Sequence, residues 1–190
     1  TIHRATKEDG YDDSWELVDP HTKEVKKVVS ARALWVKILQ NRMETGEPYV
    51  MFEDAVNNDL PSFQQKKGLY VNHSNLCSEI TLPTNEERTA VCCLSSVNLE
   101  YFDDWSKHPS FIPDLVRFLD NVLQHFIDNA PSQLEKAKYS AYRERSIGLG
   151  AMGFHAYLQK NNIPFEGPVA ASANHMIFKH IKNGAMEETL

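Results

Sequence analysis

Apolar residues recur at helical spacing over several segments of the chain. The first segment follows Ser30, a residue type that caps helices, continues to about Glu44 and ends at Gly46. The second covers residues 111–129, where every third or fourth position is apolar. A third helix is predicted over about 169–186. These segments supply the helical part of the predicted fold.

Other apolar runs are too short for long helices and predict extended chain. A short buried strand is expected over residues 48–52, and two extended runs over 69–82 and 89–97. Glycines at 148–153 predict a tight turn that leads into a helix over 151–160. Strands alternating with helices favour an α/β fold.

Composition places the chain among ordinary globular proteins. Of its 190 residues, 42% are hydrophobic and 24% are charged, with a net charge of −6. This acidic balance argues against a nucleic-acid-binding surface, and no apolar run is long enough for a membrane span. Three cysteines and no secretion signal favour a reducing compartment, the cytoplasm. The first residue is Thr1 rather than Met, which is expected of a processed, trimmed or internal piece.

Side chains that could take part in a reaction alternate along residues 74–82. In an extended chain, Asn75, Cys77 and Glu79 would share one face, each roughly 6.5–7 Å from the next. A thiol can act as a nucleophile, redox group or radical carrier, and a carboxylate can act as a general base. The same pattern also fits a half-exposed strand that buries a free cysteine.

The second extended run adds Cys92 and Cys93. A turn near Pro83 would return this run beside the first. Adjacent residues of a strand point to opposite faces, so at most one of these two thiols shares a site with Cys77.

Several linked motifs carry a family resemblance. They are Asn-Leu-Cys-x-Glu-Ile at 75–80 and Ala-Val-Cys-x-Leu-x-Ser-x-x-Leu at 90–99, flanked by 30–32, 44–49 and 145–153. Together they resemble the large, catalytic subunit of class I ribonucleotide reductases, and most closely the enterobacterial and phage versions. The resemblance implies a portion of a ten-stranded α/β barrel. Residues 1–190 would be a fragment of that catalytic barrel domain, with an incomplete barrel and no ATP cone.

The resemblance also implies roles for individual residues. Cys77 matches the cysteine that carries a thiyl radical, and Glu79 matches the base that deprotonates the ribose 3′-hydroxyl. Asn75 matches the residue that hydrogen-bonds the substrate, and Cys92 matches one half of the redox disulfide. The family's other redox cysteine lies upstream, where this sequence has none. Cys93 is interpreted as a structural cysteine. If the motif match were shifted by one residue, Cys93 would be the redox cysteine instead.

The implied enzyme makes deoxyribonucleotides for DNA replication and needs partners. No cofactor or metal is expected on this chain, because a metal-containing small subunit supplies the radical, and ATP and dNTP effectors bind segments absent here. Expected partners are the remaining large-subunit segments, the small subunit, thioredoxin or glutaredoxin, and a ribonucleoside diphosphate. A phage protein would work in its host's cytoplasm. Such a split-gene or cleaved piece should be inactive alone, and two alternatives are a non-catalytic relic and an unrelated α/β binding module.

Three other kinds of site fit the sequence less well than the ribonucleotide reductase pattern. Gly148-x-Gly150-x-x-Gly153 has the form of a dinucleotide-binding fingerprint but lacks a convincing strand before it. A zinc site built from His73 and the three cysteines lacks paired ligand spacing. A hydrolase pair of Cys77 and His155 has no support from sequence proximity.

Overall fold

A computed structural model describes residues 13–189 of the chain. The chain divides into two compact units, one ending at Phe52 and the other beginning at Glu53. In the first unit an antiparallel hairpin precedes a helix. Its elements are β1 (Ser14–Val18), β2 (Val25–Ser30) and α1 (Ala31–Thr45).

Helix α1 confirms the first predicted helix, including both of its ends. The Ser30 hydroxyl accepts a hydrogen bond from the Ala33 backbone N–H at 3.0 Å, which satisfies a free donor of the first turn. At the other end, Gly46 adopts a left-handed φ of 82°, and its N–H donates to the Arg42 carbonyl at 2.9 Å. The capping residues therefore determine where this helix begins and ends.

The predicted strand over residues 48–52 is wrong, because that segment is irregular. The Pro48 carbonyl accepts a hydrogen bond from Arg42 Nη1 at 3.0 Å instead of from a neighbouring strand. Tyr49 and Phe52 are exposed. An apolar run had suggested burial, but proline lacks the N–H that a ladder needs.

The second unit contains most of the helices and one small sheet. Its helices and strands are α2 (Glu53–Asn58), α3 (Ser62–Lys66), β3 (Cys93–Asn98), α4 (Phe102–Trp105), α5 (Phe111–Asn129), α6 (Glu135–Glu144), β4 (Ile147–Met152), α7 (Phe154–Lys160) and α8 (Pro168–Thr189). Short 3-10 turns at Leu99–Tyr101 and Ser132–Leu134 precede α4 and α6. The predicted helices over 111–129 and 169–186 are thus confirmed.

Strands β3 and β4 pair in parallel, from Cys93 opposite Ile147 to Asn98 opposite Met152. The connection between them contains helices, as a parallel pair requires. The predicted glycine-rich turn at 148–153 is therefore mostly strand β4, and only Gly153, with φ of 79°, makes the turn. The helix predicted over 151–160 accordingly begins three residues later, at Phe154.

The core of this unit lies where β3 and its following turn meet four helices. Its buried residues are Val97, Leu99, Phe102, Trp105, Ile112, Tyr157, Leu158, Ala170, Ala173, Ile177 and Ile181. The Trp105 indole N–H donates to the Asn98 carbonyl at 2.9 Å, which satisfies the polar atom of this buried ring. Within residues 13–189, no helix combines the length and the apolar character needed to cross a bilayer.

Candidate active site

A loop that begins near Val71 and returns at Thr84 carries the first predicted motif. Its two arms are joined where Asn72 Nδ2 donates to the Thr84 carbonyl at 2.6 Å and the Thr84 N–H donates to the Tyr70 carbonyl at 3.2 Å. The incoming arm is also held by Asn57 of α2. The Asn57 side chain accepts from the Val71 N–H at 2.8 Å and donates to the Val71 carbonyl at 2.9 Å. These bonds fix the base of the loop.

The tip of the loop is a turn, so the predicted straight alternation of residues 74–82 is wrong. The Ser78 N–H donates to the Asn75 carbonyl at 3.0 Å, and Ser78 has a left-handed φ of 64°. The Asn75 side chain accepts from the Ile80 N–H at 3.1 Å, and Ser74 Oγ donates to the Ile80 carbonyl at 2.8 Å. Local side-chain bonds of this kind replace the ladder that a strand would need.

The turn still brings two of the predicted residues together. Asn75 Nδ2 donates to Glu79 Oε1 at 2.7 Å, closer than an extended strand would allow. Cys77 lies between them at the tip, with an exposed thiol beside Leu76, whose side chain is 88% exposed. An amide, a carboxylate and a thiol are therefore presented within five consecutive residues.

Cys92 reaches the same region from the second run. A cavity of about 370 Å³ is lined by Asn75, Ile80 and Thr84 of the loop and by Cys92 and others of the returning chain. Cys77 does not line this cavity. Burial raises the pKa of the Cys92 thiol, and the nearby Cys93 and Glu79 raise that pKa further. Asn75 and Cys92 thus share a cavity, and Glu79, which is hydrogen-bonded to Asn75, is one of the groups that raise the pKa of Cys92.

The two adjacent thiols have different surroundings. A Cβ atom added at Gly148 would overlap Leu94 Cδ2 and lie 3.4 Å from Cys92 Sγ, so the bare backbone of β4 makes room for Leu94 and passes within contact distance of the Cys92 thiol. Cys93 begins β3, pairs with Ile147, and has a pKa raised by burial. Of the three cysteines, Cys92 lines the cavity with Asn75, whereas Cys77 and Cys93 do not.

A buried ion pair formed by Arg88, four residues before Cys92 in the sequence, has no signature in the sequence pattern. Arg88 Nη1 lies 2.6 Å from Glu144 Oε1, and the guanidinium lies 5.1 Å from the centre of the Tyr139 ring. The partners are separated by 56 residues, and neither belongs to a recognisable motif. The supporting roles of Asn57 and Thr84 were missed for the same reason, since their bonds are made by tertiary packing.

The alternative dinucleotide, zinc and hydrolase sites find no support among the described residues. Gly148 and Gly150 lie within β4 rather than in a phosphate-binding turn ahead of a helix, contrary to the dinucleotide fingerprint. Residues 13–189 contain no group of three or more His, Cys, Asp or Glu side chains able to hold a metal ion. The His155 ring packs edge-on against Phe165 at 5.7 Å.

Comparisons with known proteins agree with the predicted family. The family model described as the ribonucleotide reductase barrel domain matches residues 3–190. A ribonucleoside-diphosphate reductase large subunit of Invertebrate iridescent virus 3 is 52% identical over 169 residues, which are 89% of this chain and 27% of that protein. A putative large subunit from Frog virus 3 is 49% identical, covering 93% of this chain and 32% of that protein.

A solved structure gives the same result. The class Id ribonucleotide reductase alpha subunit of Actinobacillus ureae matches with a TM-score of 0.76 and 41% identity, covering 83% of this chain and 31% of that one. The chain thus spans about a third or less of the length of these relatives. The predicted family and the portion of its α/β barrel are confirmed, while the enterobacterial or phage subtype stays a prediction. This chain belongs to the ribonucleotide reductase family, within its barrel domain.

Proposed function

We propose that this chain carries the radical and base side of the active site of a ribonucleoside-diphosphate reductase large subunit. The observation that carries the proposal is the Asn75–Glu79 hydrogen bond at 2.7 Å beside a cavity that Asn75 shares with Cys92. Two relatives bear the name of this large subunit. The substrate would be a ribonucleoside diphosphate, converted to its 2′-deoxy form.

The proposed chemistry begins at the exposed thiol of Cys77. As a thiyl radical, its sulfur takes the 3′-hydrogen atom of the ribose, forming an S–H bond and leaving the radical on the sugar. Glu79 accepts the proton of the 3′-hydroxyl, and Asn75 donates a hydrogen bond near that hydroxyl. The 2′-hydroxyl takes a proton from one of the two reducing thiols and leaves as water. After the thiol pair has supplied two electrons, Cys77 returns the hydrogen atom to C3′ and is again a thiyl radical. The Asn75–Glu79 bond supports this assignment, since it holds base and orienting group together.

Cys92 is proposed as one of two thiols that supply two electrons and become a disulfide. The resemblance implies a partner cysteine upstream of Cys77, and residues 1–76 contain none, so we assign the partner to a part of the large subunit outside this chain. Thioredoxin or glutaredoxin would reduce the disulfide again. A separate metal-containing small subunit would supply the radical, and ATP and dNTP effectors would bind other large-subunit segments. A reducing cytoplasm suits an enzyme that must keep these thiols reduced.

The test uses a large subunit that contains this chain, assayed with its small subunit, a dithiol reductant and ribonucleoside diphosphates. Cys77→Ser should abolish turnover and leave substrate binding within about twofold, since a hydroxyl cannot carry the radical. Cys93→Ser is the matched control and should retain activity. Full activity of Cys77→Ser would reject the radical role. Absence of turnover by the unmodified protein, despite all partners, would favour a non-catalytic relic.

A further inference from the structure

The ion pair between Arg88 and Glu144 is more deeply buried than the other ion pairs of the described residues. The two side chains are 11% and 9% exposed, whereas those of the Arg117–Glu188 pair are 57% and 25% exposed. The Arg88 guanidinium also lies over the Tyr139 ring. Such a pair costs desolvation, and losing one partner leaves an uncompensated buried charge.

Arg88 lies on the chain that connects the loop to Cys92. Asn85 and Arg88 form an isolated bridge just after the base of the loop, and Cys92 follows four residues later. Thr89 reinforces the attachment, because its N–H donates to the Lys136 carbonyl of α6 at 3.3 Å. The segment before Cys92 is thereby held along α6 by a side-chain ion pair, a cation–π contact and a backbone hydrogen bond.

Glu144 also connects to the other side of Cys92. It is the last residue of α6, and β4 begins three residues later at Ile147. Strand β4 pairs with β3, and its Gly148 lies against the Cys92 thiol. The C-terminal end of α6 therefore fixes both the segment that precedes Cys92 and strand β4, which packs beside Cys92.

We propose that Arg88 is a positioning residue that holds Cys92 in the cavity beside Asn75, through its contacts with Glu144 and Tyr139. Its importance for catalysis rests on the proposed function, but its effect on the thiol does not. With the contacts intact, Cys92 stays half-buried and reacts slowly with solvent reagents. Without them, the segment before Cys92 opens locally and exposes this thiol.

The test measures the alkylation rate of each cysteine by iodoacetamide, followed by mass spectrometry of the folded large subunit. The central variant is the double substitution Arg88→Met with Glu144→Gln. It removes both charges, so it leaves no buried unpaired charge and no change in local net charge. A faster reaction of Cys92 then reports exposure rather than a shifted thiol charge. Arg117→Met with Glu188→Gln is the matched control, since it removes the more exposed pair between α5 and α8.

The double variant at 88 and 144 should alkylate Cys92 at least about fivefold faster, the change expected for a small loss of local stability. Cys77 and Cys93 should stay within about twofold, and the control variant should leave all three rates unchanged. The exchanged pair Arg88→Glu with Glu144→Arg should bring the Cys92 rate only partly back, because it restores the ion pair but not the cation–π contact with Tyr139. An unchanged Cys92 rate, or equal acceleration of all three thiols, would overturn the proposal. Neither result depends on turnover, so the Cys77→Ser assay judges the proposed function separately.

Discussion

The Asn75 amide donates to the Glu79 carboxylate at 2.7 Å across the turn that carries Cys77. The same amide accepts the Ile80 N–H through its oxygen, so both ends of the Asn75 side chain are occupied. These two hydrogen bonds fix the orientation of the amide and direct one of its two N–H groups toward Glu79, which leaves the second N–H for the proposed substrate. The carboxylate is thus held by a neighbour that is itself held by the backbone.

Glu79→Gln should abolish the proposed base without breaking the turn. The glutamine Oε1 can still accept the Asn75 N–H, but an amide cannot take the 3′-hydroxyl proton. The turnover number of the complete enzyme should fall by about 10²–10⁴, with a much smaller change in KM. Glu86→Gln, an exposed acid in the following turn, is the control and should retain activity. An unchanged turnover number in Glu79→Gln would reject the base role.

Cys92 should form its thiolate at higher pH in the folded protein than in the unfolded chain. Burial is the main cause of its raised pKa, followed by the charges of Cys93 and Glu79. The pH profile of Cys92 alkylation should therefore shift upward relative to the same thiol in urea. Glu79→Gln should move the folded profile partly back down. Coincident folded and unfolded profiles would contradict this prediction.

The raised pKa of the Cys92 thiol also makes the stability of the protein depend on pH. A thiol whose pKa is higher in the folded state keeps its full contribution below the unfolded pKa, near 9.0. That contribution is lost as the pH rises through the folded pKa. Cys92→Ser should therefore flatten the alkaline fall of the free energy of unfolding, measured by denaturant titration above pH 9. An equally steep fall in both proteins would exclude Cys92 as its source.

The helices were predictable because their signals are local. Ser30 and Gly46 mark the ends of α1 whatever the rest of the fold does, and both were found in those roles. The glycines of β4 were misread as a turn, because close approach to β3 is a tertiary requirement that looks like turn chemistry in sequence. The sequence predicted only that Asn75 and Glu79 share one face of an extended strand, two steps of roughly 6.5–7 Å apart, whereas the turn brings their side chains to 2.7 Å.

Gly153→Ala should destabilise the protein more than Gly68→Ala. Both glycines have a left-handed φ, of 79° and 66°, so both variants incur a similar backbone cost of about 1–2 kcal/mol. A Cβ at Gly153 would also lie 2.5 Å from Asn98 Oδ1, whereas nothing lies within 4 Å of one at Gly68. Asn98 Oδ1 accepts the Glu100 N–H, so the clash also disturbs the turn after β3.

Denaturant titration of the two variants separates the backbone cost from the steric one. The free energy of unfolding should fall by about 1–3 kcal/mol more for Gly153→Ala than for Gly68→Ala. Adding Asn98→Ala to Gly153→Ala should remove the clash, so the pair should cost less than the sum of the single changes. Equal losses for the two glycine variants would mean that the contact with Asn98 relaxes freely.

Ser140→Ala should stabilise the protein. Ser140 of α6 is 2% exposed, and its hydroxyl pairs with no group among residues 13–189. A buried hydroxyl without a partner costs about 1–3 kcal/mol, and alanine also has the higher helix propensity. The free energy of unfolding should therefore rise by about 1 kcal/mol in urea titration.

Ser172→Ala in α8 is the control, because Ser172 is exposed and its substitution changes helix propensity alone. If Ser140→Ala raises the free energy of unfolding no more than Ser172→Ala does, the buried hydroxyl does not destabilise the protein.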